Sequence, residues 1–173
     1  MAGQNSGGDD RRLVDVRLLE PEDWHLARTG RLAALRDAPQ FFLPRQPPES
    51  SWTEDRWRHS CDIHQWAVAR TGDTIVGLAQ LTRGRIGPHV ESVWTHPDSR
   101  RRGIASRLVR CLVRLERARG ARDVYVWVIV PNPAAMQLYF ALEFRPTGER
   151  QLLTRLGRYE ERLRLSGDLG EQQ

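Results

Sequence analysis

Apolar and polar positions change period several times along the chain. "LVDVRLLE", residues 13–20, alternates at period two and predicts an opening strand. Pro21, Glu22 and Asp23 form a helix-start signal. Beyond it Trp24, Leu26, Ala27, Leu32, Ala33 and Leu35 predict a helix that ends before Pro39. Residues 39–52, "PQFFLPRQPPESSW", hold too much proline for a regular element and predict an exposed loop. A short helix follows, capped by Thr53 and running to about Cys61, with Glu54 and Asp55 at the end where the peptide dipoles favour negative charge.

"QWAVAR" and "TIVGLAQLTR" flank "TGD" and predict a hairpin with one face of each strand in a core. Residues 89–96, "HVESVWTH", predict a further strand. The period then changes to 3.6: apolar residues at 104, 108, 112 and 115, with 105 and 109 beside them, form a helical stripe opposite Arg107, Arg110, Arg114 and Arg117, and Gly120 ends it. "DVYVWVIV", residues 123–130, is nearly continuous in apolar side chains, the pattern of a strand buried on both faces. Pro133 to about Leu142 predicts a short helix, and "FRPTGER" and "RYEERLRL" predict closing strands. Residues 1–12 and 166–173 are expected to be flexible tails around one domain at 13–165.

The chain has 173 residues, 39% of them hydrophobic and 28% charged, the balance of one globular domain. It shows no apolar run long enough for a membrane helix and no secretory signal, so a cytoplasmic protein with no membrane partner is expected. Cys61 and Cys111 predict free thiols rather than a disulfide framework. His59, Cys61 and His64 are ligand types, but a single short cluster without a partner elsewhere predicts no metal site. All 27 basic residues are arginine, against 22 acids, and the net charge of +5 permits anionic partners. No recognised nucleic-acid motif or interleaving of aromatic with basic residues accompanies it, so nucleic acid is not expected.

The arginines crowd at "RRRGIA", residues 100–105, between a strand and a helix. The first amides of a helix have no internal acceptor, and the helix dipole repels cations there, so arginines make sense at that point if an anion sits between them. Gly103 lets oxygens of a ligand approach the main chain. Neither a G-x-x-x-x-G-K-[ST] loop nor a G-x-G-x-x-G turn occurs, which disfavours P-loop nucleotidases and dinucleotide oxidoreductases.

"RRRGIA" resembles the pyrophosphate signature [QR]-x-x-G-x-[GA] of the GNAT superfamily of N-acetyltransferases, and "NPAAMQLYFALEF", residues 132–144, resembles that family's N-x-x-A-x-x-x-Y-x-x-x-G-F at Asn132, Ala135, Tyr139 and Phe144. The resemblance covers about residues 13–165. Two positions depart from it: Arg101 stands where the family commonly has glycine, and Glu143 replaces the glycine that ends the short helix, where a left-handed backbone is often needed.

The resemblance implies an α/β (α+β) GNAT fold, a mixed, mostly antiparallel sheet of about seven strands flanked by about four helices. It implies acetyl-CoA as co-substrate, entering where the strands at 89–96 and 123–130 splay. There the main chain of Val93, Trp94 and Thr95 pairs with the pantetheine, amides from Arg100, Arg101, Arg102, Gly103, Ile104, Ala105 and Ser106 hold the pyrophosphate, and Asn132, Ala135 and Tyr139 complete the cofactor site. Tyr139 matches the tyrosine that assists the departing thiolate, and an amide at a strand bulge near Val93 serves the carbonyl oxygen. Glu91 or His89 is a candidate base, directly or through water, unless the acceptor amine loses its proton to water unaided. The expected reaction is transfer of acetyl to a primary amine of a small molecule, peptide or protein by direct attack in a ternary complex; the alternative is a non-catalytic acyl-CoA-binding module. A homodimer is compatible with the family. Trp24, Trp52 and Trp57 either shape the acceptor pocket or pack the core. The absence of lysine reflects codon usage or spares an acylating enzyme from modifying itself.

Overall fold

The computed structural model describes residues 13–167. Four helices and seven strands form one sheet between two helical layers. In chain order they are β1 (Asp15–Leu18), α1 (Trp24–Asp37), α2 (Glu54–Ile63), β2 (Gln65–Thr71), β3 (Thr74–Gly84), β4 (Gly87–Thr95), α3 (Ile104–Ala118), β5 (Asp123–Val130), α4 (Pro133–Ala141), β6 (Arg145–Leu153) and β7 (Arg158–Ser166). The spatial order is β1-β2-β3-β4-β5-β7-β6. Every neighbouring pair is antiparallel except β4 and β5, which run parallel for two register pairs only, His89 with Tyr125 and Val90 with Val126. Beyond Val90 the two strands separate, and the sheet opens into a V at its centre.

Alternation sorts side chains between the layers. On β2, Trp66 and Val68 join Leu78, Trp94 and Trp57 beneath α1 and α2, while Ala67 and Ala69 face α3 with Leu81, Val90 and Leu108. α1 sits close to β3: a Cβ on Gly30 would lie 3.1 Å from Leu78 Cδ1. On the opposite face the backbone of Gly77 leaves room for α3, since a Cβ there would lie 2.8 Å from Ile104 and 2.9 Å from Leu108. The buried face of α1 is therefore Ala27, Gly30, Arg31 and Ala34, not the larger apolar residues that the sequence pattern emphasised. In α3 the buried stripe is Ile104, Leu108, Val109 and Leu112, and continues through Glu116, whose carboxylate is bonded by Arg83 and Arg119.

Two further expectations change. β5 is not buried on both faces: Val124, Val126 and Val128 fill the core under α3 and α4, whereas Tyr125 and Trp127 on the other face are only half-buried, because α1 and α2 stop short of β5. The β2–β3 hairpin is buried on both faces, not one, because α1 and α2 cover one side and α3 the other. The segment 39–52 is irregular and mostly exposed, as expected, but it is anchored at one residue. Glu49 within it is 1% exposed, and its carboxylate accepts from Arg31 Nε and Nη2 at 3.0 and 2.9 Å and from the Arg45 amide at 2.8 Å. Arg31 also donates to the Leu43 carbonyl at 2.7 Å. This ion pair holds the proline-rich segment against the sheet. The expected N-terminal tail and residues 168–173 lie outside the described residues, while Ser166 ends β7, paired with Asp123. Among the described residues no helix is long and apolar enough to cross a membrane.

Candidate active site

Two cavities meet in the V between β4 and β5. The larger, about 680 Å³, runs from the C-terminal end of β4 to the N-terminus of α3 and is lined by Val93, Trp94, Thr95, Arg101, Gly103 and Ser106, among others. The second, about 470 Å³, lies on the α1 side against Glu91, Trp127 and Glu160. Both are bounded by Phe41, Phe42, Val93, Asn132, Ala135 and Tyr139, so the two cavities adjoin along these residues.

The strand end of the first cavity owes its shape to a bulge. Between the pairs Gln80–Glu91 and Leu78–Trp94, β4 carries one more residue than β3, and Ser92 takes a left-handed φ of 55° to accommodate it. The bulge turns the β4 backbone at 92–93 toward the opening. Ser92 Oγ accepts from Arg31 Nη1 at 3.2 Å.

At the other end α3 starts abruptly. Its first backbone bond runs from the Arg107 amide to the Gly103 carbonyl, at 3.1 Å, so the amides of Ile104, Ala105 and Ser106 precede any intrahelical acceptor. Gly103 has φ 74°, and an added Cβ would meet nothing within 4 Å, which leaves the approach to those amides open. These amides, the dipole behind them and the arginine at 101 fit a diphosphate.

Arg100 departs from expectation. Its amide closes a turn onto the Pro97 carbonyl at 3.2 Å, and its guanidinium bonds Thr95 O at 3.2 Å and the Asp37 carboxylate. Arg100 lines the cavity as a strut between β4 and the end of α1, not as an amide donor. Arg102 is exposed and does not line the cavity. Arg101 has φ 61° and Glu143 φ 67°, so both departures from the glycine pattern put a side chain on a left-handed backbone.

Tyr139 is 5% exposed and packs edge-on against Phe144, with ring centroids 5.4 Å apart. Burial alone raises its phenol well above the ordinary range, so the ring stays protonated. Asn132 caps α4 through Oδ1, which accepts from the Ala135 amide at 3.1 Å. That bond fixes the turn on which Tyr139 is carried.

Of the two candidate bases, Glu91 lines the second cavity and His89 lines neither. His89 is buried, stacks on Tyr125 at 5.3 Å and contacts the Gly87 carbonyl through Nδ1 at 3.0 Å. Glu91 is held by Thr82 Oγ1 at 2.9 Å and lies 3.8 Å from Arg45. Sequence reasoning missed Glu160 and Gln151, which reach the same cavity from β7 and β6. Their strands carry no motif; only the pairing of β7 against β5 brings them to the opening. Trp24, Trp52 and Trp57 line neither cavity. Trp57 is fully buried and packs between Trp52 and Trp66, at 4.9 and 6.4 Å. Cys61 joins that core, where burial pushes its thiol up to about 12. Among the described residues no group of three or more histidines, cysteines or carboxylates could hold a metal.

Residues 32–144 match the model of the acetyltransferase (GNAT) family. No curated protein matches the chain by sequence. Solved structures with the same fold include the yncA protein of Salmonella typhimurium with its cofactor acetyl-CoA (17% identity, TM-score 0.70, 91% of this chain and 96% of that one). The ribosomal-protein-S5-alanine acetyltransferase of Vibrio fischeri superposes with a TM-score of 0.72 at 16% identity, over 90% of this chain and 93% of that one. NAA60 of Arabidopsis thaliana, in complex with a bisubstrate analogue, gives 0.67 at 15% identity, over 89% and 98%.

Proposed function

The chain belongs to the GNAT acetyltransferase family, and from that premise we propose that it moves an acetyl group from acetyl-CoA to a primary amine by direct attack in a ternary complex. The observation that carries this reading is the junction of two cavities at Tyr139, one leading to the unpaired amides of α3 and the other to a chamber with carboxylates. Residues 13–165 act as one catalytic domain.

Acetyl-CoA supplies an activated acetyl thioester. The amides of Ile104, Ala105 and Ser106 and the backbone around Gly103 hold its diphosphate, and the β4 backbone from Val93 to Thr95 binds the arm as an added strand. Thr95 O is already engaged by Arg100, so Val93 and Trp94 carry more of that pairing. An amide at the Ser92 bulge faces the carbonyl oxygen, where a fixed dipole stabilises developing charge without reorganisation. Tyr139, kept protonated by burial, gives a proton to the sulfur as the carbon–sulfur bond breaks. Glu91, tied to Thr82 and Arg45, contributes negative charge to the acceptor side.

Two measurements test the reading: calorimetry with CoA, and release of free thiol from acetyl-CoA with a panel of amines. Binding with thiol release supports it. Binding without thiol release under any amine favours an acyl-CoA-binding module, and no heat at millimolar CoA overturns both.

A further inference from the structure

Both arginines that line the acceptor cavity already have acidic partners. Arg31 is spent on Glu49, Leu43 O and Ser92 Oγ. Arg45 donates to Gln80 Oε1 at 3.0 Å and lies against Glu91. Glu160 differs. It stands on β7 opposite Ile129 of β5 and Gln151 of β6, half-buried, and its carboxylate accepts from the Gln151 side-chain amide. Among the described residues no arginine pairs with it. The neighbouring arginines of β7 do not line the cavity: Arg158 donates to the carbonyls of Gln40 and Pro131 at 2.9 and 3.0 Å, and Arg162 pairs with Glu149 through Nη2 and stacks over Tyr125 and Trp127, its Nε and Nη1 buried without a partner. Burial raises the Glu160 carboxyl above its usual range; the bond from Gln151 opposes this, and the charge of Glu91 adds to it. The rest of the chamber wall is mixed: Ser92, Asn132 and Tyr139 are polar, while Phe41, Phe42, Trp127 and Ile129 supply aromatic and aliphatic surface.

Such a chamber offers an unpaired anion and aromatic surface but no uncommitted cation. A substrate bearing a carboxylate next to its amine, as a free amino acid does, meets Glu160 and Glu91 with no charge to balance it. An ammonium on an apolar body meets a counter-ion and a matching wall. We propose, building on the acetyl-transfer reading above, that the acceptor is a primary amine carried on an uncharged apolar or aromatic body, and that Glu160 holds its ammonium and takes its first proton.

The ammonium gives one proton to the Glu160 carboxylate, which later releases it to solvent. The neutral nitrogen attacks the thioester carbon, a C–N bond forms and the C–S bond breaks. The second proton lost by nitrogen replaces the one that Tyr139 gives to the thiolate, leaving amide, free thiol and one proton in solution.

Phenylethylamine and phenylalanine share the aromatic body and differ in the carboxylate, so they are the probes. Each is titrated by calorimetry into protein saturated with CoA, and each is assayed for thiol release with acetyl-CoA, in the wild type, Glu160→Gln and Glu160→Asp. Phenylethylamine is expected to bind and react at least about tenfold better than phenylalanine, and Glu160→Gln to lose about ten- to a hundredfold in amine affinity and kcat/KM. CoA affinity is expected to be unchanged in both variants, which also verifies folding. The acid limb of kcat/KM is expected above the ordinary glutamate range, to disappear in Glu160→Gln and to return in Glu160→Asp. Equal or better handling of phenylalanine, no heat from phenylethylamine, or a Glu160→Gln variant with wild-type affinity and pH profile would each overturn the proposal. Failure of CoA itself to bind the wild type would instead sink the acetyl-transfer reading, while titration of phenylethylamine into the protein without CoA, wild type against Glu160→Gln, would still decide whether Glu160 is an ammonium site.

Discussion

The indole of Trp94 donates to the Asp37 carboxylate at 2.9 Å, across 57 residues of chain. The same Oδ2 receives Arg100, so one carboxylate at the end of α1 ties together the strand and the loop that flank the larger cavity. Trp94 is 4% exposed, so its side chain relies on Asp37 for a protein acceptor.

Replacing Asp37 with alanine removes the acceptor of that donor and the partner of Arg100, which is expected to cost about 1–3 kcal/mol of stability. It also frees Arg100 at the cofactor cavity. Thermal unfolding measures the first effect, and CoA calorimetry is expected to show weaker binding; an unchanged melting temperature would refute the structural role of the carboxylate.

Arg101 and Glu143 sit on left-handed backbone, with φ 61° and 67°. Glycine at either position is expected to stabilise the fold by about 1 kcal/mol. Arg101→Gly also removes a cation from the cofactor cavity, so its melting temperature rises while CoA affinity falls. Glu143→Gly changes only the first, and comparing the two variants separates strain from charge.

Gly77→Ala places a methyl 2.8 Å from Ile104 and 2.9 Å from Leu108, with Trp94 O at 3.2 Å. Helix α3 must shift away from β3, at an expected cost of about 1–3 kcal/mol. The shift begins at the first residue of the helix whose amides face the cavity, so CoA affinity is expected to fall together with stability.

Glu49→Leu removes the counter-ion of a guanidinium that is only 5% exposed, in a site where burial already lowers the Arg31 pKa. The expected loss is about 3–5 kcal/mol. Segment 39–52 also loses its anchor, so limited proteolysis is expected to cut there first. The double variant Arg31→Met, Glu49→Leu is expected to recover much of the stability, because no buried charge remains.

Tyr139→Phe keeps the ring against Phe144 and deletes the hydroxyl. If the phenol serves the thiolate, kcat falls by about a hundredfold or more, with CoA affinity unchanged. Linkage has a defined sign here. The folded pKa is raised above the unfolded value near 10, so both states hold the proton at neutral pH; above about pH 10 the unfolded chain ionises and the folded one does not, and stability falls. Alkaline unfolding of Tyr139→Phe is expected at higher pH than that of the wild type.

Several elements were legible in the sequence: the α3 stripe from Ile104, the β2–β3 hairpin and the cap Thr53 all appear in the structure, although β2 and β3 are buried on both faces rather than one. The stripe of α1 was legible only at Ala27, because the rest of its inner face is Gly30, Ala34 and a paired arginine, small or charged residues that a hydrophobicity pattern does not favour. Segment 39–52 is the mostly exposed loop its prolines predict, but its anchor was not legible, for a related reason. Its order comes from Glu49 meeting Arg31 eighteen residues earlier, and proline content says nothing about such a partner.

What the sequence by itself determined is local: glycine, arginine and a helix start within residues 100–106 give the free first amides of α3, and with the motif around Tyr139 they indicate the side proposed for the cofactor. The acceptor side was decided only by the tertiary structure. Glu91, Trp127 and Glu160 come from three strands and meet because β4 and β5 pair for two residues and then part, while β7 closes antiparallel against β5. Long-range strand pairing leaves no trace in local periodicity, so the residues it gathers become visible only once the sheet is assembled.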